Sequence, residues 1–106
     1  MLNTEALTLA AAPAEPYITL DNRALILHDG RRCTMLPSAT FPWIAETLSL
    51  LLSERRATRT QHQAAFGGVL RDDDSVMLYA GAPTDMVTLV TSRQAVEDLL
   101  AKLGRR

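Results

Sequence analysis

The same order of local signals occurs twice in this chain. Residues 17–52 read as strand, turn, strand, turn, strand and helix, and residues 68–103 read the same way. Few folds accept that order. A sheet has one apolar face and a helix one apolar stripe, and each must be covered by another layer. The predicted fold class is α+β: a small single domain of antiparallel sheet with helices packed on one face. The predicted order is β-β-β-α-(short α or loop)-β-β-β-α. Two readings of the recurrence stay open: two βββα repeats, or the spacing that any small α+β domain shows.

The first half is punctuated by acidic turns. Tyr17-Ile18-Thr19-Leu20 is a strand, Asp21-Asn22 a turn, and Ala24-Leu25-Ile26-Leu27 a second strand. Asp29-Gly30 is a type I′ hairpin signal, because both residues tolerate positive φ. Cys33-Thr34-Met35-Leu36 then alternates and stops at Pro37. Ser38 or Thr40 caps the helix that follows, and Pro42 falls in its first turn, where a missing N–H costs nothing. Ile44, Leu48, Leu51 and Leu52 form one stripe, widened by Trp43, Thr47 and Leu50.

The second half is less regular. Residues 57–66 are polar, and 61–66 read as a short helix stopped by Gly67-Gly68, or as a loop. Val69-Leu70 begins a strand, Asp72-Asp73-Asp74-Ser75 is a turn, and Val76-Met77-Leu78-Tyr79 is a strand. Residues 81–85 turn again, before an apolar strand over 86–90. Thr91-Ser92-Arg93-Gln94 fits a capping box with Thr91 as the cap. Val96, Leu99, Leu100 and Leu103 line one helical stripe, Asp98 and Lys102 pair on the wet side, and Gly104 ends the helix.

Composition narrows the class of function. The chain has 106 residues, 47% apolar and 22% charged, with a net charge of −1. That suits one domain of ordinary soluble type and excludes a polycation or a charged disordered tail. One cysteine excludes an internal disulfide and a multi-cysteine zinc site. Lys102 is the lone lysine beside ten arginines, which suggests bacterial or phage coding bias. No apolar run approaches the length of a membrane helix. Residues 6–12 are apolar, but Glu5 stands where a signal peptide carries its basic region. The boundaries expected are a flexible tail over 1–16 and a single domain over 17–106, in the cytoplasm with Cys33 reduced.

Catalytic chemistry finds little support. His28, His62 and Cys33 are isolated from one another in sequence, and no short metal-binding pair occurs. Asp72-Asp73-Asp74 lacks the twelve-residue loop and closing glutamate of an EF-hand. Gly67-Gly68 lacks the Lys-Ser/Thr of a phosphate loop and reads as a helix stop or strand kink. No catalytic residue, cofactor or metal is expected.

Charge order is the unusual feature. Arg55, Arg56, Arg59 and Arg71 occupy 55–71 with no acid among them; 72–98 then carries Asp72, Asp73, Asp74, Asp85, Glu97 and Asp98 against Arg93 alone. A basic patch of this kind suits a phosphate backbone, and a two-signed surface suits a charged protein partner. Ordinary solvation accounts for it as well. Arg55, Arg56, Arg59, Gln61, Gln63 and Arg71 are the candidate partner- or nucleic-acid-binding residues.

Residues 18–68 resemble the winged-helix output domain of OmpR-type response regulators. The resemblance rests on the hairpin from Leu20-Asp21 through Asp29-Gly30-Arg31-Arg32, then Leu36-Pro37-Ser38-Ala39-Thr40-Phe41 leading into Leu48-Ser49-Leu50-Leu51-Leu52. It closes with Thr58-Arg59-Thr60-Gln61 and Phe66-Gly67. It implies a second helix opening near Thr58 and ending at Phe66-Gly67. Arg55, Arg56 and Arg59 would then meet phosphates, and Gln61 or Gln63 base edges. The resemblance departs after residue 68, where a basic recognition helix is replaced by acidic, strand-like sequence. The leading expectation is a small non-enzymatic regulator or adaptor that binds a protein partner, inhibitor- or chaperone-like, with a homodimer favoured by exposed strand edges. The alternative is a winged-helix-like DNA-binding regulator.

Overall fold

A computed structural model describes residues 15–61 and 64–104. Strands β1 (Tyr17–Leu20), β2 (Ala24–His28) and β3 (Cys33–Pro37) come first. A 3-10 turn (Ser38–Thr40) leads into helix α1 (Phe41–Glu54). Strands β4 (Arg56–Gln61), β5 (Ala64–Leu70), β6 (Ser75–Ala82) and β7 (Asp85–Ser92) follow, then helix α2 (Arg93–Gly104). The fold is α+β with antiparallel sheet, as expected, and the strands form two sheets. Their orders are β1-β2-β3 and β4-β5-β6-β7. A βββα order spans β1 to α1 and again β5 to α2, and β4 is an added strand. Most of the expected tail, residues 1–14, lies outside the described residues.

Aspartates build the turns. Asp21 Oδ1 accepts the N–H groups of Arg23 and Ala24 at 2.7 and 3.0 Å. Asp29 Oδ1 accepts those of Arg31 and Arg32, both at 2.8 Å. Asp73 Oδ1 accepts the N–H and hydroxyl of Ser75 at 3.0 and 2.6 Å. A short carboxylate that bonds the backbone two or three residues on mimics a backbone turn. The β2–β3 connection is therefore a four-residue loop closed by Asp29 N–H on Arg32 O, with Gly30 at φ 103°, and not the two-residue turn expected.

These bonds have a pH consequence. Hydrogen bonds from Arg32 and Arg31 N–H hold the Asp29 carboxyl below its ordinary pKa. Those from the Ser75 hydroxyl and N–H do the same for Asp73. A carboxylate with a depressed folded pKa stabilises the fold above its unfolded pKa and ceases to do so as pH falls through the folded value. The urea midpoint is expected to drop as pH falls below about 4. Asp29→Asn with Asp73→Asn keeps both acceptor oxygens and should flatten that drop. An unchanged acid limb would contradict this assignment.

The middle of the chain departs most from expectation. Residues 56–61 are strand β4, and β5 begins at Ala64, so the short helix or loop expected over 57–66 is a hairpin. Ala57 and Arg59 are half-buried while Arg56, Thr58 and Thr60 are exposed, the period of a strand with one covered face. Gly67-Gly68 lies inside β5 and stops no helix. A Cβ on Gly67 would lie 2.3 Å from Ala57 O; one on Gly68 would lie 2.4 Å from Met77 O and 3.2 Å from Leu51 Cδ2. The two glycines let β5 pass closely between β4 and β6, beneath α1.

One core unites the layers. Ile44, Leu48 and Leu51 of α1 pack over β4 and β5, while β2 crosses β7 with Leu25 and Leu27 turned inward. Phe66, Val76, Leu78, Val87 and Leu89 form the floor, and Val96, Leu99 and Leu103 bring α2 against α1. Thr47 is buried, and its hydroxyl donates to Trp43 O at 2.8 Å. Thr40 does not cap α1 through its side chain; its hydroxyl donates to Pro37 O. Helix α1 stops at Arg55, in the left-handed region at φ 71°. The α2 cap is Ser92, one residue later than expected, whose Oγ accepts Ala95 N–H at 3.0 Å. Gln94 reaches Asp98 rather than back to the cap.

Candidate functional site

The candidate arginines do not form one patch. Arg56 and Arg59 are an odd number of positions apart on β4, so they point to opposite faces of the sheet. Arg59 turns inward and ion-pairs with Glu46 of α1. Arg55 donates to Arg71 O at 3.0 Å and meets Asp72 Oδ1 at 3.4 Å, tying the end of α1 to the β5–β6 turn. Arg71 serves that turn through its backbone, its N–H donating to Ser75 O. Gln61 is exposed at the end of β4. Gln63 and His62 lie outside the described residues. The sign-segregated sequence thus folds into local pairs, since 55–71 and the acids of α1 and the β5–β6 turn are brought together.

Cys33 is exposed. It lies opposite His28 in the β2–β3 register. His28 Nδ1 accepts Gly30 N–H at 3.0 Å, and its ring stacks on Tyr17 with centroids 4.7 Å apart. No group of three metal-ligating side chains occurs among the described residues.

A groove lies elsewhere, between β1, β7 and α2. It has a volume of about 310 Å³, and its walls include Ile18 and Leu20 of β1, Leu89 and Val90 of β7, and Ala95 and Leu99 of α2. Asp98 and Lys102 border it. Tyr17 and Val90, 45% and 53% exposed, are two of the molecule's exposed large apolar side chains, and both belong to it. A wider hollow of about 840 Å³ near Phe41 and Pro42 shares Lys102 with it.

The backbone makes this groove specific. Asp21 N–H bonds Ala24 O. Antiparallel pairs alternate between bonded and non-bonded, so Thr19 and Tyr17 bond β2 while Ile18 and Leu20 direct N–H and C=O away from it. Arg93 N–H bonds Asp74 O, and the same alternation turns Met86, Thr88 and Val90 away from β6. Strands β1 and β7 are both sheet edges. Arg32 occupies the start of the β7 edge: its guanidinium ion-pairs with Asp85 and donates to Met86 O at 3.0 Å. Val90 remains on one wall, Ile18 and Leu20 on another, and the outward groups of Thr88 lie further along the same edge. The arrangement offers main-chain donors and acceptors beside a mixed apolar and polar lining, which suits an extended polypeptide.

Sequence reasoning did not find these residues. The usable signal was Met86-Val87-Thr88-Leu89-Val90, which is apolar on both faces, whereas a strand with one wet face alternates. No known protein-family profile, curated protein or solved structure matches the chain.

Proposed function

We propose that this protein is a small non-enzymatic regulator or adaptor that binds a partner protein through the β1–β7–α2 groove. The observation that carries the reading is the pair of strand edges, without a strand partner among the described residues, beside a groove that mixes apolar and polar side chains. An extended segment of the partner adds its backbone to an edge and places alternate apolar side chains between Ile18, Leu20, Leu89 and Leu99. Asp98 and Lys102 at the border favour a segment carrying both signs of charge.

Selection of linear peptides from a display library on the purified chain tests this. Enriched peptides should alternate apolar and polar residues. Val90→Glu, at an exposed position, should weaken them by roughly tenfold or more, as expected when a charge meets an apolar anchor. Met35→Glu, 65% exposed and on the opposite face of the first sheet, should leave them unchanged. No enrichment, or binders indifferent to Val90→Glu, would count against the reading.

The nucleic-acid alternative gains no such observation. Its second helix corresponds to the β4–β5 hairpin, and Arg55 and Arg59 are engaged with acids of this chain. No helix among the described residues is long and apolar enough to cross a membrane.

A further inference from the structure

Strand β4 is the other edge of the larger sheet, and its outward groups are fixed by one bond. Leu70 N–H donates to Arg55 O at 2.8 Å. By alternation Ala57, Arg59 and Gln61 bond β5, while Arg56, Thr58 and Thr60 direct N–H and C=O outward. We propose that a second copy of this chain occupies this edge, its β4 antiparallel to the first about a two-fold axis at Thr58, joining the two four-stranded sheets.

The register follows from pairing and charge. Only outward residues can bond one another across the axis, so even positions face even positions. Centring on Thr58 pairs all three: Thr58 with Thr58, and Arg56 with Thr60 in both directions. It sets Arg59 opposite Ala57. Centring on Arg56 or on Thr60 leaves fewer pairs. Pairing Thr58 with Thr60 would set Arg59 against Arg59, and like charges directly opposite destabilise. The Thr58 register also sets hydroxyls opposite hydroxyls, a favourable cross-strand pair.

The helices give a second, independent argument. Helix α1 rests on β4 and β5 alike, so its axis lies over the space between them. Adjacent strands are about 4.8 Å apart, and the two-fold would place the two α1 axes about 10 Å apart, within the usual range for packed helices. The flank that would meet carries Trp43, Glu46 and Leu50. It lies away from Ala45, which borders α2, and toward β4, where Glu46 meets Arg59. Leu50 is 45% exposed and Trp43 half-buried. Dimerisation gives both an apolar partner, and the Glu46–Arg59 pairs bring no net charge to the seam.

Sedimentation equilibrium of the full chain should give twice the 11.6 kDa of one chain. Leu50→Glu, at an exposed position, should raise the dissociation constant at least ~10-fold. Thr58→Cys in a Cys33→Ser background reads the register directly. The two Cα atoms would lie about 5.5 Å apart, within disulfide reach, so mild oxidation should link the chains. Thr60→Cys in the same background should not link. A monomer at ~100 µM, well above the micromolar range of specific association, would overturn the proposal. So would a dimer unaffected by Leu50→Glu, or linkage at position 60 in preference to 58. Peptide capture in the β1–β7–α2 groove is unaffected by either result.

Discussion

Gly68→Ala is expected to destabilise the chain by about 3 kcal/mol or more, at the upper end of overpacking costs. The added methyl has nowhere to go. Its carbon would lie 2.4 Å from Met77 O, a backbone atom of the adjacent strand, and 3.0 Å from Leu78 Cδ2. A side-chain tip could rotate aside, but a carbonyl in the β5–β6 ladder moves only if the strands part. Domains of this size have about 5–15 kcal/mol of stability, so the substitution removes a large share. Urea unfolding followed by circular dichroism measures it. A loss below about 0.5 kcal/mol, typical of surface positions, would contradict the packing of β5 between β4 and β6.

The second large effect is expected at Leu48. Its side chain is fully buried, at the centre of the α1 stripe. Leu48→Ala removes three buried carbons and leaves a cavity between α1 and the sheet, at a cost of about 2–5 kcal/mol. Leu50, two positions along, is the informative control. It faces outward past β4, and Leu50→Ala in dilute protein should cost less than about 1 kcal/mol. Equal losses at 48 and 50 would mean that α1 is rotated about its axis relative to this structure.

Much of the architecture was legible because local chemistry and global fold agree. Asp21, Asp29 and Asp73 mark turns through bonds made within three residues, so their signal survives in the sequence. Ile44, Leu48 and Leu51 mark the covered side of α1 because helical spacing alone aligns them. Strand β4 was hidden for the opposite reason. Its sequence Arg-Ala-Thr-Arg-Thr-Gln has no apolar alternation, since one face meets only Ala57 and the stem of Arg59. Gly67-Gly68 resembles a stop until the neighbouring strands are in place. Only then does the absence of two Cβ atoms read as close approach.

The candidate site was the least legible part. Arg55, Arg56, Arg59 and Arg71 are close in sequence, but strand alternation sends Arg56 and Arg59 to opposite faces, and acids from α1 and the β5–β6 turn engage two of the four. The groove gathers residues from both ends of the chain. Its open backbone groups follow from the bonding phase of β1 and β7, which no side chain encodes.

Backbone amide hydrogen exchange, resolved by residue and measured with and without a selected peptide, tests the groove most directly. In the free protein the amides of Ile18, Leu20, Thr88 and Val90 should exchange quickly, and those of Thr19 and Leu89, bonded within their sheets, slowly. With peptide bound, amides from the first four should gain protection, on β1, on β7 or on both. Slow exchange at all four in the free chain, or peptide-induced protection confined to other strands, would contradict the account.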